Sequence, residues 1–222
     1  ASKINVLPNA VSTDKFHAQE KDQHLAQRLK LENRIVIGYI GSFVEYEGLD
    51  LLLEAGAMLR NKLGDVFHLL LVGDGDMMIP LRRKARFLQI EDITTFTGRI
   101  PHDEVQRYYS LIDIAPLPRK GYKVCELVSP LKPFEAMRAG KVVVCSSVAA
   151  LAEIVEHEVT GVVFEKDNAD DLATKLEPLL LDESLRRTIS DNARDWVTEH
   201  HSWETVSQRV VDVYERMCEG TS

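Results

Sequence analysis

The chain has 222 residues, 45% hydrophobic and 28% charged, with a net charge of −8 and three cysteines. That length holds one large α/β domain or two small ones. The acidic balance excludes a general nucleic-acid binder, which needs surplus Lys and Arg to displace counterions from phosphates, and the longest apolar runs fall far short of the ~20 residues of a membrane span.

Ile4–Leu7 reads as a short strand ending at Pro8-Asn9, and Val11–Lys30 as a polar lead-in with little periodicity before Leu25. Apolar, β-branched runs then alternate with helical patterns. Strands are expected at Ile35–Gly41, His68–Gly73, Ile93–Thr97, Ile112–Pro116, Val142–Ser146 and Gly161–Phe164. Helices are expected at Leu49–Leu63, Asp76–Leu88, His102–Ser110, Pro130–Ala139, Ala149–Val155, Ala169–Leu181, Glu183–Glu199 and Trp203–Met217. This alternation predicts an α/β fold: a Rossmann-like parallel sheet with helices on both faces. The strands show little polar alternation, as expected of a sheet covered on both sides. The reading divides the chain into a lead-in (1–30), a Rossmann-like domain (31–200) and a C-terminal helix with its tail (201–222).

Cys125, Cys145 and Cys218 are too few and too scattered for a disulfide frame, which points to a reducing, cytoplasmic setting. No His has the partners of a metal site, so no metal is expected; His102 and the His200-His201 pair read as surface or capping residues. Arg82, Arg83, Lys84 and Arg86 fall on one expected helix. They read as a solvated face, with an anionic membrane surface as a further candidate contact.

In an open parallel sheet, ligands bind beyond the carboxyl ends of the strands. Glycines recur at those points: Gly41-Ser42, Gly73-Asp74-Gly75, Gly98-Arg99-Ile100 and Arg119-Lys120-Gly121. Each is also an ordinary strand-to-helix turn. Gly73-x-Gly75 lacks the third glycine of a dinucleotide fingerprint, so no nicotinamide cofactor is indicated. Glu126 through Gly140 is the most specific segment. Ser129 reads as a helix cap, Pro130 as the first helical residue and Gly140 as the stop. A helix N-terminus favours an anion. Leu131 and Lys132 offer amides there, and Lys132 adds a full charge suited to a diphosphate. Glu135, one turn in, can accept from a pair of sugar hydroxyls, and Glu126 can do so for a second sugar. An ordinary capped helix with surface charges accounts for the same residues.

Four ordered segments carry a resemblance to a known family. Asn9–Phe16, Leu71–Asp76, Pro130–Gly140 and Glu153–Phe164 resemble the signatures of the C-terminal domain of retaining, family 4 (group 1) glycosyltransferases of GT-B fold. The Tyr46–Asp50 and Ser129–Lys132 patterns resemble a bacterial subgroup. The resemblance implies one half of a GT-B fold and a UDP- or GDP-sugar as substrate, with no metal and no other cofactor. Gly41, Ser42 and Gly73 would approach the donor. Arg99 and Ile100 would face the base, and Glu135 the ribose. Ser129, Pro130, Leu131 and Lys132 would cradle the diphosphate with help from Arg119 and Lys120. Glu126 and Lys132 would act on the donor sugar and its leaving group. The acceptor would sit on an N-terminal domain that this chain lacks, so the chain alone would bind donor weakly without turnover.

Two departures stand out. The family carries Arg and Lys where this chain has Ser42 and Glu47, and the first of its paired glutamates falls at Leu127, one residue after Glu126. A catalytically inactive nucleotide-binding or scaffold module of the same fold is therefore the alternative function. A sugar-nucleotide epimerase would want acids and a His that find no place. The last helix carries Trp203, Val206, Val210, Val213, Tyr214 and Met217 at three- and four-residue spacing. In the resembled family that helix crosses to the other domain, so weak self-association is expected when that domain is missing.

Overall fold

The structure, a computed structural model, describes residues 5–219, apart from the side chains of 217 and 219. Six parallel strands form one sheet: β1 (Ile35–Ile40), β2 (Phe67–Val72), β3 (Thr94–Gly98), β4 (Ile114–Leu117), β5 (Val142–Ser146) and β6 (Val162–Phe164). Their order is β3-β2-β1-β4-β5-β6. β1 lies between β2, in register from Ile35↔Phe67 to Ile40↔Val72, and β4, paired at Ile37↔Ile114. The strand order therefore reverses between β1 and β4, which opens a crevice at their carboxyl ends.

Among the described residues, ten α-helices surround the sheet: α1 (Gln23–Leu29), α2 (Leu49–Leu63), α3 (Met78–Phe87), α4 (Val105–Tyr109), α5 (Lys123–Leu127), α6 (Lys132–Arg138), α7 (Ala149–Ala152), α8 (Ala169–Leu181), α9 (Glu183–His201) and α10 (Trp203–Glu219). α2 packs on α3 and α8, and α6 packs on α9. Every residue of β2 and β5 is buried. With both faces of the sheet covered, the central strands are largely apolar and carry no regular alternation, whereas the edge strand β3 is threonine-rich and mostly half-buried.

The residues before β1 depart from their sequence reading. Ile4 lies outside the described residues, and 5–10 form no strand. The polar stretch after them contains α1, capped by the Asp22 carboxylate, which accepts from Leu25 N. Leu25, Ala26 and Leu31 join the same core as the sheet, and Phe16 meets the Tyr109 ring edge-on at 5.9 Å. Seven residues, about two turns, give too short a pattern for periodicity to register. α5 was missed for the same reason.

The helix expected from Pro130 begins at Lys132. Pro133, not Pro130, takes the first-turn place that suits proline. Ser129 does not cap it. Its carbonyl and hydroxyl oxygens instead accept from Asn9 Nδ2, at 3.1 and 3.5 Å.

Candidate functional site

A cleft of about 590 Å³ opens at the carboxyl ends of β1, β2 and β3. Gly41 and Ser42 line it after β1, Gly73 to Gly75 after β2, and Arg99, Ile100 and His102 after β3. Glycine is required at two of these points. At Gly73, with φ +139°, a Cβ would lie 1.8 Å from the Gly41 carbonyl oxygen. At Gly75, with φ +154°, it would lie 2.4 Å from the Phe43 carbonyl oxygen. The β1 and β2 loops thus interlock backbone to backbone, leaving main chain as the wall of the cleft.

Lys132 reaches this wall from α6. Its ε-carbon sits 2.5 Å from the place a Gly41 Cβ would occupy, and its ammonium lies 5.6 Å from the Tyr39 ring centroid. Lys132 Nζ is also 3.1 Å from Glu47 Oε1. The same oxygen accepts from Arg119 Nη2 at 3.0 Å, so Glu47, only 2% exposed, ties two cations together. The Tyr39 hydroxyl donates to the Ser42 carbonyl at 3.1 Å and steadies the loop after β1. Burial, with the Glu47 carboxylate second, pushes that phenol well above its usual pKa.

Glu135 stands one turn into α6, half-buried. Burial raises its carboxyl pKa, while Lys132, His102 and the Tyr109 hydroxyl oppose the rise. Tyr109, buried beside it, is itself raised well above the ordinary phenol by burial and then by Glu135. His102 therefore belongs to the cleft and to the surroundings of Glu135. It is exposed, in keeping with a surface histidine, and lines the cleft as well. His102, Tyr109 and Val105 carry no motif of their own; only their position after a strand-end glycine points to them.

The remaining named residues lie elsewhere. Arg119 lines no part of the cleft: its guanidinium is buried on Glu47 and the Val128 carbonyl, 3.2 Å away. Lys120 turns to Asp50, at 2.8 Å. Glu126 accepts from Ala149 N at 2.7 Å, at the start of α7, and pairs with Lys166 at 2.5 Å. These contacts, the backbone one first, lower its pKa. Pro130 is buried, while Ser129 and Leu131 are exposed. With Leu131 as the N-cap and Pro133 lacking an amide, the N–H groups without an intrahelical partner at the start of α6 are those of Leu131, Lys132 and Phe134.

Beyond the cleft, Arg82 stacks on Phe96 at 4.9 Å, Lys84 pairs with Glu54, and Arg86 pairs with Glu91. Among the described residues, no group of three His, Cys, Asp or Glu side chains could hold a metal ion. None of the helices among the described residues is long and apolar enough to cross a membrane.

Known proteins share this architecture. The chain is 28% identical over 215 residues to a GDP-mannose-dependent alpha-(1-6)-phosphatidylinositol monomannoside mannosyltransferase of Mycobacterium tuberculosis; the match covers 96% of this chain and 56% of that protein. The chain thus spans little more than half the length of that relative. Anabaena HepE, solved with UDP-glucose, superposes with a TM-score of 0.83 at 22% identity, over 96% of this chain and 57% of that one. The C-terminal domain of a group 1 glycosyl transferase, LpcC of Francisella tularensis, superposes with a TM-score of 0.75 at 24% identity, over 87% of this chain and 99% of that domain. The two superpositions establish the Rossmann-like fold of GT-B enzymes. The family model for glycosyl transferases group 1 matches residues 20–196, from α1 through most of α9, and the chain belongs to that family.

Proposed function

We propose that the chain is the donor-binding, C-terminal half of a two-domain, retaining family 4 glycosyltransferase, and that it holds a nucleoside-diphosphate sugar in the cleft at the ends of β1–β3. One observation carries the reading: the cleft is walled by interlocked glycine backbone, with Lys132 behind Gly41 and a half-buried carboxylate, Glu135, beside His102. HepE, a protein of the same fold, is known with UDP-glucose, and the mycobacterial relative uses GDP-mannose. Those names support a UDP- or GDP-hexose as donor.

In this reading the base lies against Arg99 and Ile100, the ribose hydroxyls donate to Glu135, and the diphosphate meets the Gly41-Ser42 backbone and the Lys132 ammonium. As the bond from the sugar to the diphosphate breaks, its electron pair and the new negative charge go to the leaving oxygen. Lys132 and the fixed amides lie ready for that charge, and such preorganised donors are the largest single contribution to many enzymes' rates. The acceptor hydroxyl takes the sugar on the same face that the diphosphate leaves, and its proton passes to the departing phosphate. Acceptor groups belong to an N-terminal half, so this chain alone binds donor without transferring it. No metal takes part, and the setting is the cytoplasm, at the inner membrane face.

The tie between Glu47 and Lys132 favours a second reading, a nucleotide-binding module without catalysis, because the key cation is already partnered. Calorimetric titration with UDP, GDP and ADP, then with their sugars, tests both. The donor reading expects one diphosphate and its sugar to bind. Binding of nucleotide without its sugar supports the module, and no binding overturns both.

A further inference from the structure

We propose that Glu47 is a positioning residue for the donor diphosphate: it holds the Lys132 ammonium at the β1 loop in advance of binding, with Arg119 as its anchor. The inference rests on the cleft's being a nucleoside-diphosphate site.

Glu47 is fixed by backbone packing rather than by chance of rotamer. It ends a short 3-10 turn, Glu45–Glu47, after β1. The next residue, Gly48, has φ +71°, and a Cβ there would fall 1.9 Å from the Pro118 carbonyl oxygen. Lys120 N donates to the Tyr46 carbonyl at 2.9 Å. These contacts bind the turn after β1 to the segment after β4, across the strand-order reversal where ligands enter such sheets.

The two cations on Glu47 are not equivalent. Arg119 is closed in: it is 8% exposed and also donates to the Val128 carbonyl. The Lys132 side chain is 24% exposed, and its stem lies under Gly41. Of the three ammonium donors, one meets Glu47. Arg119 and Glu47 sum to zero charge, so Lys132 remains as a surplus positive charge behind Gly41, one of the residues that line the cleft. That cancellation decides the sign of the effect. A bare carboxylate beside a diphosphate would repel it, whereas one neutralised by a buried guanidinium serves as a fixed acceptor. A lysine left on its flexible stem must be immobilised when the ligand arrives, and holding it beforehand removes that cost from binding.

The test is a double-mutant cycle on the full chain, read by calorimetry with UDP and GDP and with the phosphate-free probes uridine and guanosine. Glu47→Gln is expected to lose about three- to tenfold in affinity for the diphosphate that the wild type binds. Its nucleoside affinity should not change, and it should cost nothing further in a Lys132→Met background. Unchanged or tighter diphosphate binding would overturn the proposal. So would an equal loss for nucleoside and diphosphate, the mark of a merely structural role. Should Glu47→Gln fail to fold, Glu47→Asp keeps the charge but withdraws the carboxylate by one methylene, and the same diphosphate-specific loss is expected. Normal affinity in Glu47→Asp, or failure of both variants to fold, would overturn the proposal. A wild type that binds no nucleoside diphosphate defeats the cleft assignment itself, and is told apart because no variant is needed to see it.

Discussion

Replacing Glu135 by Gln should exchange ligand affinity for stability. A hydrogen bond to a charged acceptor contributes about 1.5–3 kcal/mol. A ribose offers two hydroxyls, and the amide keeps one oxygen to accept from one of them. The expected net loss is therefore about one such bond, or roughly 10- to 150-fold in Kd. The same substitution removes a buried charge. Burial raises the Glu135 pKa above its unfolded value, so between those two values the folded state holds the proton more firmly than the unfolded one. Stability then falls as pH rises through that interval, and the penalty is fully present above the folded pKa. Glu135→Gln should accordingly melt higher than the wild type at pH 7, with the gain fading as pH drops below the unfolded value. Affinity moves the other way in the wild type: protonating Glu135 takes away an acceptor, so ribonucleotide binding should weaken on acidification. Calorimetry with UDP or GDP and their 2′-deoxy forms reads the first effect, and melts across pH read the second. If Glu135→Gln still preferred the ribonucleotide to its 2′-deoxy form as strongly as the wild type does, the ribose assignment would be wrong.

Three further outcomes follow from the same geometry. Lys132→Ala should weaken diphosphate binding by about 1.5–3 kcal/mol and flatten its salt dependence, checked by titration at two ionic strengths; intact affinity at both would move the charge to Arg99, which lines the cleft itself. Glu126→Gln should lower the melting temperature at pH 7, because the Ala149 amide and Lys166 hold its pKa down; that contribution is present above the unfolded pKa and lost as pH falls through the folded one, so wild type and variant should converge in acid. Trp203 and Tyr214 are 57% and 64% exposed on α10, so the chain should self-associate weakly in sedimentation at rising concentration, and a Trp203→Ser variant should do so less.

The sheet was legible because a strand buried on both faces must be largely apolar, and β1, β2 and β5 are, with His68 and Ser146 as their buried polar exceptions. α2 and α8 match their expected bounds because long periodic patterns carry the most information. Side-chain pairing across the sheet was not legible. Nothing in the spacing of Glu47, Arg119 and Lys132 says that three residues from three segments share one carboxylate oxygen. Glu47 read as the loss of a cation, when it is the partner of two. Glu126 was legible as an acid before a helix, but the helix whose amide it meets is α7, 23 residues on. The start of α6 was misplaced because two prolines compete for its first turn, and only packing shows which one wins.

The central claim is that nucleoside diphosphate enters the glycine-walled cleft at β1–β3. Backbone amide shifts, followed by NMR during titration with UDP and with GDP, locate the ligand directly. One of the two nucleotides should move Gly41, Ser42, Gly73, Gly75, Arg99 and Ile100 together, with saturation. Shifts confined instead to the groove between α2 and α8, around Met58, Lys62 and Glu177, or no saturable shift with either nucleotide, would contradict the account.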